Sequence, residues 1–475
     1  MYPLTRFLCG WVLMFLPVAQ AIWNPIISGW NPDPAILTVG DDYYIATSSF
    51  EYWPGIPIYH SKDLSNWTIK SHALTRPEQL QLYGTPTGAG AWAPSLSFID
   101  GKFWLSAMTR WTYDPVARVW PRVWFISSED LVNWSDPVWA EPWGIDPELF
   151  QDPVTKKTYL NLMAPNNNKD RLWGISQCEV SLASGNCVGP YVSLWNGTLP
   201  HNSTARPERP KMYYKDEWYY LLIAEGGSPQ HQRIISSRRE TFMVNVDWKD
   251  EGPVFNQGDP VLLSKQIKPE VGPRQVPRQW VDDFSRTNLD PSWYQLRVPD
   301  RDTPAALLRK QKSLNMTFSA ELSSFKGDLG PRNRIGISSY LSEFQHQDIG
   351  VRGCVNATGI CIYTELNKNG TQEYWQTPLN QTSGLAGGFR LHIKAEPLKY
   401  RLGYSFGKEA PVYVTSIASS WQAFAPPDWF VFSGASWAIF ATGDGEPWPH
   451  NGPQVGFNEV RETFHEENIP NYDRW

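Results

Sequence analysis

The chain has 475 residues, a formal net charge of −6, and 25 Trp in a composition that is 14% aromatic and only 19% charged. It has no long basic or acidic block, so neither nucleic acid nor an anionic membrane is an obvious partner. Flat amphipathic rings stack on sugar faces, which makes a neutral carbohydrate a natural ligand for this composition. The alternative, for most of the tryptophans, is packing in β-sheet cores.

The first residues predict a signal peptide. Arg6 precedes an apolar run from Phe7 to Val18, and the run ends in the small-residue pattern Ala19-Gln20-Ala21. The run is shorter than the roughly 20 apolar residues that a membrane-spanning helix needs. We expect residues 1–21 to be removed and the mature protein to be secreted and extracellular. The alternative is a buried N-terminal helix.

Cysteine spacing fits an exported protein. Cys9 leaves with the signal, and the other four cysteines favour two short-loop disulfides, Cys178 with Cys187 and Cys354 with Cys361. Four cysteines allow three connectivities, so the other two stay open. No C-x-x-C motif or histidine pair predicts a metal site. Eight sequons suggest surface glycosylation: Asn66, Asn133, Asn196, Asn202, Asn315, Asn356, Asn369 and Asn380.

Short β-branched or aromatic runs separated by Gly, Pro, Asn and Asp predict an all-β protein. Four segments of the first part align on their prolines, and each reads as strand, polar turn and aromatic strand. These prolines recur about every 60 residues, a spacing similar in kind to propeller repeats: Pro34, Pro94, Pro147 and Pro210. A second echo, Asp-Leu-x-Asn-Trp, begins at Asp63 and again at Asp130. Radially repeated four-stranded blades explain both patterns.

The residues just before the repeat prolines are candidates for chemistry, since inner strands of a propeller begin around its central channel. They are Asp33, Ala93, Asp146 and Arg209, with Glu208 one position earlier. Three carboxylates at equivalent places on separate blades form the constellation that a glycosidase requires. The alternative for Asp33 and Asp146 is that each caps a tight Asp-Pro turn, as expected for Asp152.

The second part of the chain reads as a β-sandwich. The Pro-rich stretch from Lys268 to Pro277 is the best linker, so we predict a β-propeller catalytic domain over residues 22–275 and a concanavalin-like β-sandwich over residues 276–475. Alternating strands, such as those beginning at Phe389 and Tyr400, support the sandwich. Asp282-Asp283-Phe284 reads as the entry of a jelly roll.

Three motifs together resemble glycoside hydrolase family 43, in its β-xylosidase/α-L-arabinofuranosidase branch. They are Asn31-Pro-Asp-Pro34, Gly144-Ile-Asp-Pro-Glu-Leu-Phe150, and Arg206-Pro-Glu-Arg-Pro210. The resemblance implies a five-bladed propeller followed by a jelly-roll sandwich, and inverting hydrolysis of xylan or arabinoxylan oligosaccharides from the plant cell wall. It implies that Asp33 is the general base, Glu208 the general acid, and Asp146 the group that orients Glu208 and raises its pKa.

The same resemblance implies a set of sugar contacts. Phe50 and Trp92 are similar to the family's aromatic platforms, and Arg239 to its late active-site arginine. Core packing is the alternative for the two aromatics, and a plain surface position is the alternative for Arg239. The family usually has glycine where this chain has Arg209.

The chain departs from the family after the fourth repeat. Only Ser228 to Arg238 separate Gly227 from the Arg239 motif, and no histidine can be assigned to the family's fifth-blade motif. We therefore expect an incomplete propeller with four recognisable repeats, no bound calcium, and lower activity and stability than an intact relative. One alternative is a catalytically impaired or non-catalytic carbohydrate-binding homologue, and another is a cell-wall structural protein. Pentose preference, linkage and oligomeric state stay open.

Overall fold

A computed structural model describes residues 24–82, 84–110, 122–166, 171–198, 207–225, 240–244, 246–249, 252–255, 257, 277–296, 305–368, 371–379, 385–420, 431–443, 448 and 452–465. Across these segments the protein is built from β-strands, which confirms the predicted all-β class. None of the described segments forms a helix of the length and apolarity that crossing a membrane requires.

The strands of the first part follow the predicted alternation of short runs and turns. In chain order they are β1 (Ala35–Val39), β2 (Asp42–Ala46), β3 (Tyr52–Trp53), β4 (Gly55–Ser61), β5 (Thr68–Leu74), β6 (Gly90–Ala91), β7 (Ser95–Ile99), β8 (Lys102–Arg110), β9 (Arg122–Ser128), β10 (Val138–Trp139), β11 (Ile145–Gln151), β12 (Thr158–Asn166), β13 (Arg171–Glu179), β14 (Val192–Trp195), β15 (Pro207–Lys215), β16 (Trp218–Glu225), β17 (Val246–Lys249) and β18 (Gly252–Phe255).

Each predicted repeat proline lies in or just before one strand of a separate antiparallel sheet: Pro34 before β1, Pro94 before β7, Pro147 in β11 and Pro210 in β15. The sheet orders are β1-β2-β4-β5, then β10-β9-β8-β6 with β7 also paired to β8, then β11-β12-β13-β14, and finally β15-β16. The hairpin β17-β18 forms a further two-stranded sheet. The strands β1, β7, β11 and β15 lie side by side in that order. Neighbouring sheets bury apolar side chains between them, as Leu105 and Leu160 illustrate.

The turns inside the repeats have a local cause. Ile99 pairs with Lys102, which leaves Asp100 and Gly101 as a two-residue loop with φ of 49° and 80°. Positive φ at both positions is the backbone of a type I′ turn, which matches the twist of the flanking strands. Asp216 and Glu217 form the equivalent loop of the fourth repeat, with φ of 51° and 67°.

The Asp-Leu-x-Asn-Trp echo adopts one turn twice. Oδ1 of Asp63 accepts from the main-chain N of Asn66 at 2.8 Å, and Oδ1 of Asp130 accepts from the N of Asn133 at 2.7 Å. Both leucines have positive φ, and both tryptophan rings donate back to the leucine carbonyl. The amide nitrogens of both asparagines donate to the same aspartates at 2.7 Å, although each asparagine begins a sequon.

The second part contains two six-stranded antiparallel sheets, ordered β19-β31-β22-β27-β28-β29 and β21-β30-β23-β24-β25-β26. Their strands are β19 (Gln279–Asp282), β20 (Gln295–Leu296), β21 (Ala305–Lys310), β22 (Met316–Leu322), β23 (Arg334–Ser342), β24 (Gln345–Gly353), β25 (Ile360–Lys368), β26 (Thr371–Pro378), β27 (Phe389–Glu396), β28 (Lys399–Phe406), β29 (Val412–Ala418), β30 (Ser436–Thr442) and β31 (Phe457–Phe464).

The core of the second part lies between these two sheets. Phe318 on β22 stacks on Trp437 on β30, with ring centroids 5.4 Å apart and planes 8° from parallel. Trp293 Nε1 donates to Asp282 Oδ2 at 2.8 Å, so the predicted entry motif is held by its own acid and tryptophan. The strands predicted at Phe389 and Tyr400 are present as β27 and β28.

Both predicted disulfides are present, Cys178–Cys187 and Cys354–Cys361. Of the sequon asparagines, Asn356 is exposed at the tip of the second disulfide loop, whereas Asn202, Asn369 and Asn380 lie outside the described residues. The predicted signal peptide, the stretch from Ser228 to Arg238 and most of the predicted linker also lie outside them. The domain boundaries and the five-bladed count therefore remain predictions.

The two parts of the chain share a buried surface. Strand β20 pairs with β3, with Leu296 opposite Tyr52. Beside this pair, Trp30 and Phe50 of the first part pack in one apolar cluster with Leu308 of the second. This contact lies directly behind the loop that carries Asp33, so the second part supports the candidate site.

Candidate active site

Three of the four residues that precede the repeat prolines share an unusual backbone. Asp33, Asp146 and Arg209 have φ of 53°, 53° and 55°, in the left-handed region that non-glycine residues seldom adopt. The β11-β12 and β15-β16 pairings shift register at this point, so Asp146 and Arg209 lie in β-bulges. Bulges re-aim side chains at strand ends and occur often beside active sites. The positive φ at all three residues gives three sheets the same local geometry where their inner strands begin.

The Asp33 carboxylate is held by the first sheet. Ser48 Oγ donates to Asp33 Oδ2 at 2.6 Å, and the Ser48 main-chain N donates to the Pro32 carbonyl at 3.1 Å. The adjacent Asn31 is fully buried, and its Oδ1 accepts from Tyr59 OH at 2.6 Å and from Lys310 Nζ at 2.8 Å. Both parts of the chain therefore fix the loop on which Asp33 stands.

Asp146 and Glu208 come together from neighbouring sheets. The pKa of the Asp146 carboxyl is raised to about 7, chiefly because burial removes water from it. The nearby charge of Arg209 opposes that rise, the charges of Asp33 and Glu208 add to it, and a main-chain hydrogen bond from Arg209 opposes it again. The structure thus brings the three predicted carboxylates within electrostatic reach of one another, with a cation among them.

The strand that carries Glu208 is anchored by a buried acid, which binds the main chain four residues further on, at Met212. Glu148 is 2% exposed, and its carboxylate accepts from the Met212 main-chain N at 2.8 Å, from Asn161 Nδ2 at 3.0 Å and from Lys211 Nζ at 3.1 Å. Lys211 Nζ also donates to Ser95 Oγ at 3.0 Å. Together these groups link the second, third and fourth sheets beneath Glu208.

The predicted platforms Phe50 and Trp92 meet under a residue of the second part. Phe432 stacks on Phe50 at 5.7 Å between centroids and meets Trp92 edge-on at 5.4 Å. Phe50 is only 2% exposed and belongs to the cluster between the two parts, whereas Trp92 is half-buried. The segments around Phe50 and Gly90 approach each other closely. Position 90 requires glycine, because a Cβ there would lie 2.1 Å from the Phe50 carbonyl oxygen.

Arg239 lies outside the described residues, but the segment that follows it is well placed. Thr241 Oγ1 donates to the Asn31 carbonyl at 3.0 Å, and Glu240 Oε1 accepts from the Gly29 main-chain N at 3.1 Å. The motif that contains Arg239 therefore reaches the loop of Asp33.

The sequence alone does not predict a role at the site for three residues: Phe432, Lys310 and Glu148. Phe432 and Lys310 come from the second part, and no local spacing connects them to Asp33. Glu148 lies inside the third-repeat motif, so an acid two residues after Asp146 was the available signal. Within the part of the chain that the structure describes, no group of three His, Cys, Asp or Glu residues is placed to hold a metal ion.

Comparison with known proteins places these motifs in a family. Residues 22–266, just over half of the chain, match the family described as Glycosyl hydrolases family 43. Similar curated proteins include "Xylosidase/arabinosidase 43B" of Humicola insolens, 40% identical over 207 residues, which are 43% of this chain and 38% of that protein. "Xylan 1,3-beta-xylosidase" of a Vibrio species is 36% identical over 248 residues, 50% of this chain and 44% of that protein. The chain thus spans less than half the length of these two relatives.

The fold is also found among solved structures. "Xylan beta-1,4-xylosidase from Bacillus Halodurans C-125" superposes with a TM-score of 0.78 at 24% sequence identity, over 93% of this chain and 100% of that one. This likeness extends through both parts of the chain and shows a shared fold. With the family match over its first part, the chain belongs to glycosyl hydrolases family 43.

Proposed function

We propose that this protein is a secreted, exo-acting glycosidase that releases xylose or arabinose from hemicellulose oligosaccharides by inverting hydrolysis. The observation that carries the proposal is the convergence of Asp33, Asp146 and Glu208, each from a different sheet, in one electrostatically coupled group. Family membership and the printed names of the relatives support a pentose-releasing hydrolase.

In the proposed reaction Asp33 takes a proton from a water molecule, and the water oxygen attacks the anomeric carbon from the face opposite the leaving group. The glycosidic C–O bond breaks as Glu208 gives its proton to the leaving oxygen. A single displacement of this kind inverts the anomeric configuration. The bond from Ser48 Oγ keeps Asp33 Oδ2 in a fixed direction, which favours one position for the water.

Asp146 and Glu208 act as a coupled pair in this proposal. The charge of each disfavours ionisation of the other, so the pair retains one proton at a pH where two separate carboxyls would have lost both. The competent form carries that proton on Glu208. Because the pKa of Asp146 is raised to about 7, activity should decline as the pH rises past that value.

The sugar would lie against Trp92, with Phe432 of the second part closing one side. Phe50 supports Phe432 from behind, since its ring is buried in the cluster between the two parts. Arg239 would donate to the sugar hydroxyls, and the docking of Thr241 on Asn31 supports that position.

Hydrolysis of nitrophenyl β-D-xyloside, nitrophenyl α-L-arabinofuranoside and 1,3- and 1,4-linked xylo-oligosaccharides tests the proposal. We expect release of a single pentose from at least one of these substrates, and loss of that release in Asp33→Ala. Rates equal to the Asp33→Ala control on every substrate would overturn it. Isothermal titration that detects sugar binding without turnover would then support a non-catalytic carbohydrate-binding protein.

Detection of the protein in the culture medium of its source tests secretion.

A further inference from the structure

Arg209 joins three sheets at the centre of the candidate site. Its Nη2 lies 2.6 Å from the carbonyl oxygen of Asp33 and 2.8 Å from that of Pro34, both just ahead of β1. The same nitrogen approaches the Pro94 carbonyl of the second sheet at 3.5 Å. The Arg209 main-chain N–H donates to the Asp146 carboxylate of the third sheet. Arg209 therefore contacts both the main chain at Asp33, the proposed base, and the side chain of Asp146.

The backbone of Arg209 is in a conformation that an arginine does not favour. A φ of 55° places a residue with a Cβ in the left-handed region, where the Cβ lies too close to the following carbonyl oxygen. Glycine would adopt this φ without that clash. The side-chain contacts to Asp33 and Pro34 offset the cost here, since a guanidinium can donate to several carbonyls at once.

The charge of Arg209 also acts on the acid pair. Asp146 faces Arg209 and Glu208 on β15 and Asp33 ahead of β1, and Arg209 supplies the positive charge of this set. Further along the same strands, Glu148 and Lys211 pair with each other at 3.1 Å. A cation beside a carboxylate favours its ionised form, so Arg209 opposes the effects of burial and of the two acids.

We infer that Arg209 is a positioning residue for the proposed reaction: its guanidinium fixes the main chain on which Asp33 stands, and its main-chain N–H and charge set the proton balance of Asp146 and Glu208. This inference rests on the proposed function for its kinetic consequence. The proton balance itself is a property of the folded protein and does not require turnover.

Two variants separate the charge from the geometry. Arg209→Gly removes the charge and fits the positive φ, whereas Arg209→Lys keeps the charge and loses the planar fork. We expect kcat/KM of Arg209→Gly to fall about 10-fold or more, with its pH profile moved on the order of one unit toward alkaline pH. Arg209→Lys should lose rate and keep the position of the profile. Lys102→Gln is the matched charge control, since Lys102 lies at the far end of the β7-β8 hairpin and should change neither.

A second measurement keeps the test independent of catalysis. Aspartate labelled with ¹³C at the side-chain carboxyl reports the titration of Asp146, which the Asp146→Asn spectrum identifies. We expect the Asp146 midpoint to be higher in Arg209→Gly than in the wild type, by a similar shift. An unchanged midpoint, or a rate loss with an unmoved pH profile, would overturn the inference and leave Arg209 a structural residue. An inactive wild type with a shifted midpoint would instead refute the proposed function alone.

Discussion

The loop that carries Asp33 and the strand that carries Glu208 reach the same site with different support. Behind Asp33, Asn31 and Trp30 are fully buried. Two residues of the second part bind them: Lys310 Nζ donates to Asn31 Oδ1, and Ser436 Oγ accepts from Trp30 Nε1. Glu208 lies on β15, which pairs with β16 in a two-stranded sheet among the described residues.

The outer side of the Glu208 sheet contrasts with that buried loop. Trp218 on β16 is 70% exposed and Tyr219 is 49% exposed. The support of β15 comes instead from the third sheet, through Glu148. The difference teaches that the base depends on contact between the two parts of the chain, whereas the acid depends on contact between neighbouring sheets. Changes to each kind of support should therefore have different kinetic signatures.

Glu208→Gln should give the largest effect, because it removes the proton donor itself. For xylobiose, whose leaving group needs protonation, we expect kcat/KM to fall by about 10²–10⁴-fold. Nitrophenyl xyloside should lose much less, since nitrophenolate leaves without help. Steady-state kinetics on both substrates measures the ratio. Glu217→Gln, in the exposed turn of the same hairpin, is the matched control. Equal losses on the two substrates would assign Glu208 a structural role.

Glu148→Gln should weaken the acid side without touching substrate. The amide still accepts from the Met212 main chain but loses the charge that pairs with Lys211, so β15 shifts relative to β11. Because a misplacement of about 1 Å can cost about 10²-fold, we expect a loss of that order on xylobiose and a smaller one on nitrophenyl xyloside. Glu129→Gln removes an exposed, paired acid and serves as control. Equal losses on both substrates would contradict support specific to the acid.

Lys310→Met should weaken the base side. Burial lowers the pKa of the Lys310 ammonium well below its usual value, so an apolar side chain of similar length is tolerated there. Loss of the bond to Asn31 Oδ1 should reduce kcat by about 10-fold on both leaving groups, with little change in melting temperature. Lys326→Met, at an exposed position of the second part, is the control. A loss confined to xylobiose would refute the assignment of Lys310 to the base side.

Asp146→Asn tests the raised pKa through stability. The folded protein binds the Asp146 proton more tightly than the unfolded chain, so the stability from this group is present below about pH 4 and is lost as the pH rises through about 7. The asparagine variant does not titrate. Its melting temperature should therefore gain on that of the wild type by about 2–5 °C between pH 5 and pH 8. A constant difference across that range would contradict the raised pKa.

Much of the fold follows from local sequence. The turn at Asp100-Gly101 and the paired turns at Asp63 and Asp130 depend on residues within four positions of one another, so composition and spacing predict them. The alignment of Asp33 with Asp146 also follows, because the repeat proline fixes the register. Lys310 and Phe432 could not be found in this way. Their contacts join residues hundreds of positions apart, and only packing of the two parts brings them together.

At Arg209, the local sequence predicts the position of the residue but not the contacts of its side chain. Its place beside Glu208 follows from the motif, in which the family usually has glycine at this position. The direction of its side chain was not evident, because the bulge in β15 and the positive φ decide which carbonyls the guanidinium reaches.

Proton NMR of the first sugar released tests the central claim most directly, since it reports how Asp33 acts. From a β-xyloside we expect α-xylose as the initial product, followed by slow mutarotation, because a base acting through water displaces the leaving group once. The spectrum should be recorded early in the reaction, before mutarotation mixes the anomers, with Asp33→Ala as the blank. Initial appearance of β-xylose would mean two displacements and a covalent intermediate, and would contradict the role assigned to Asp33.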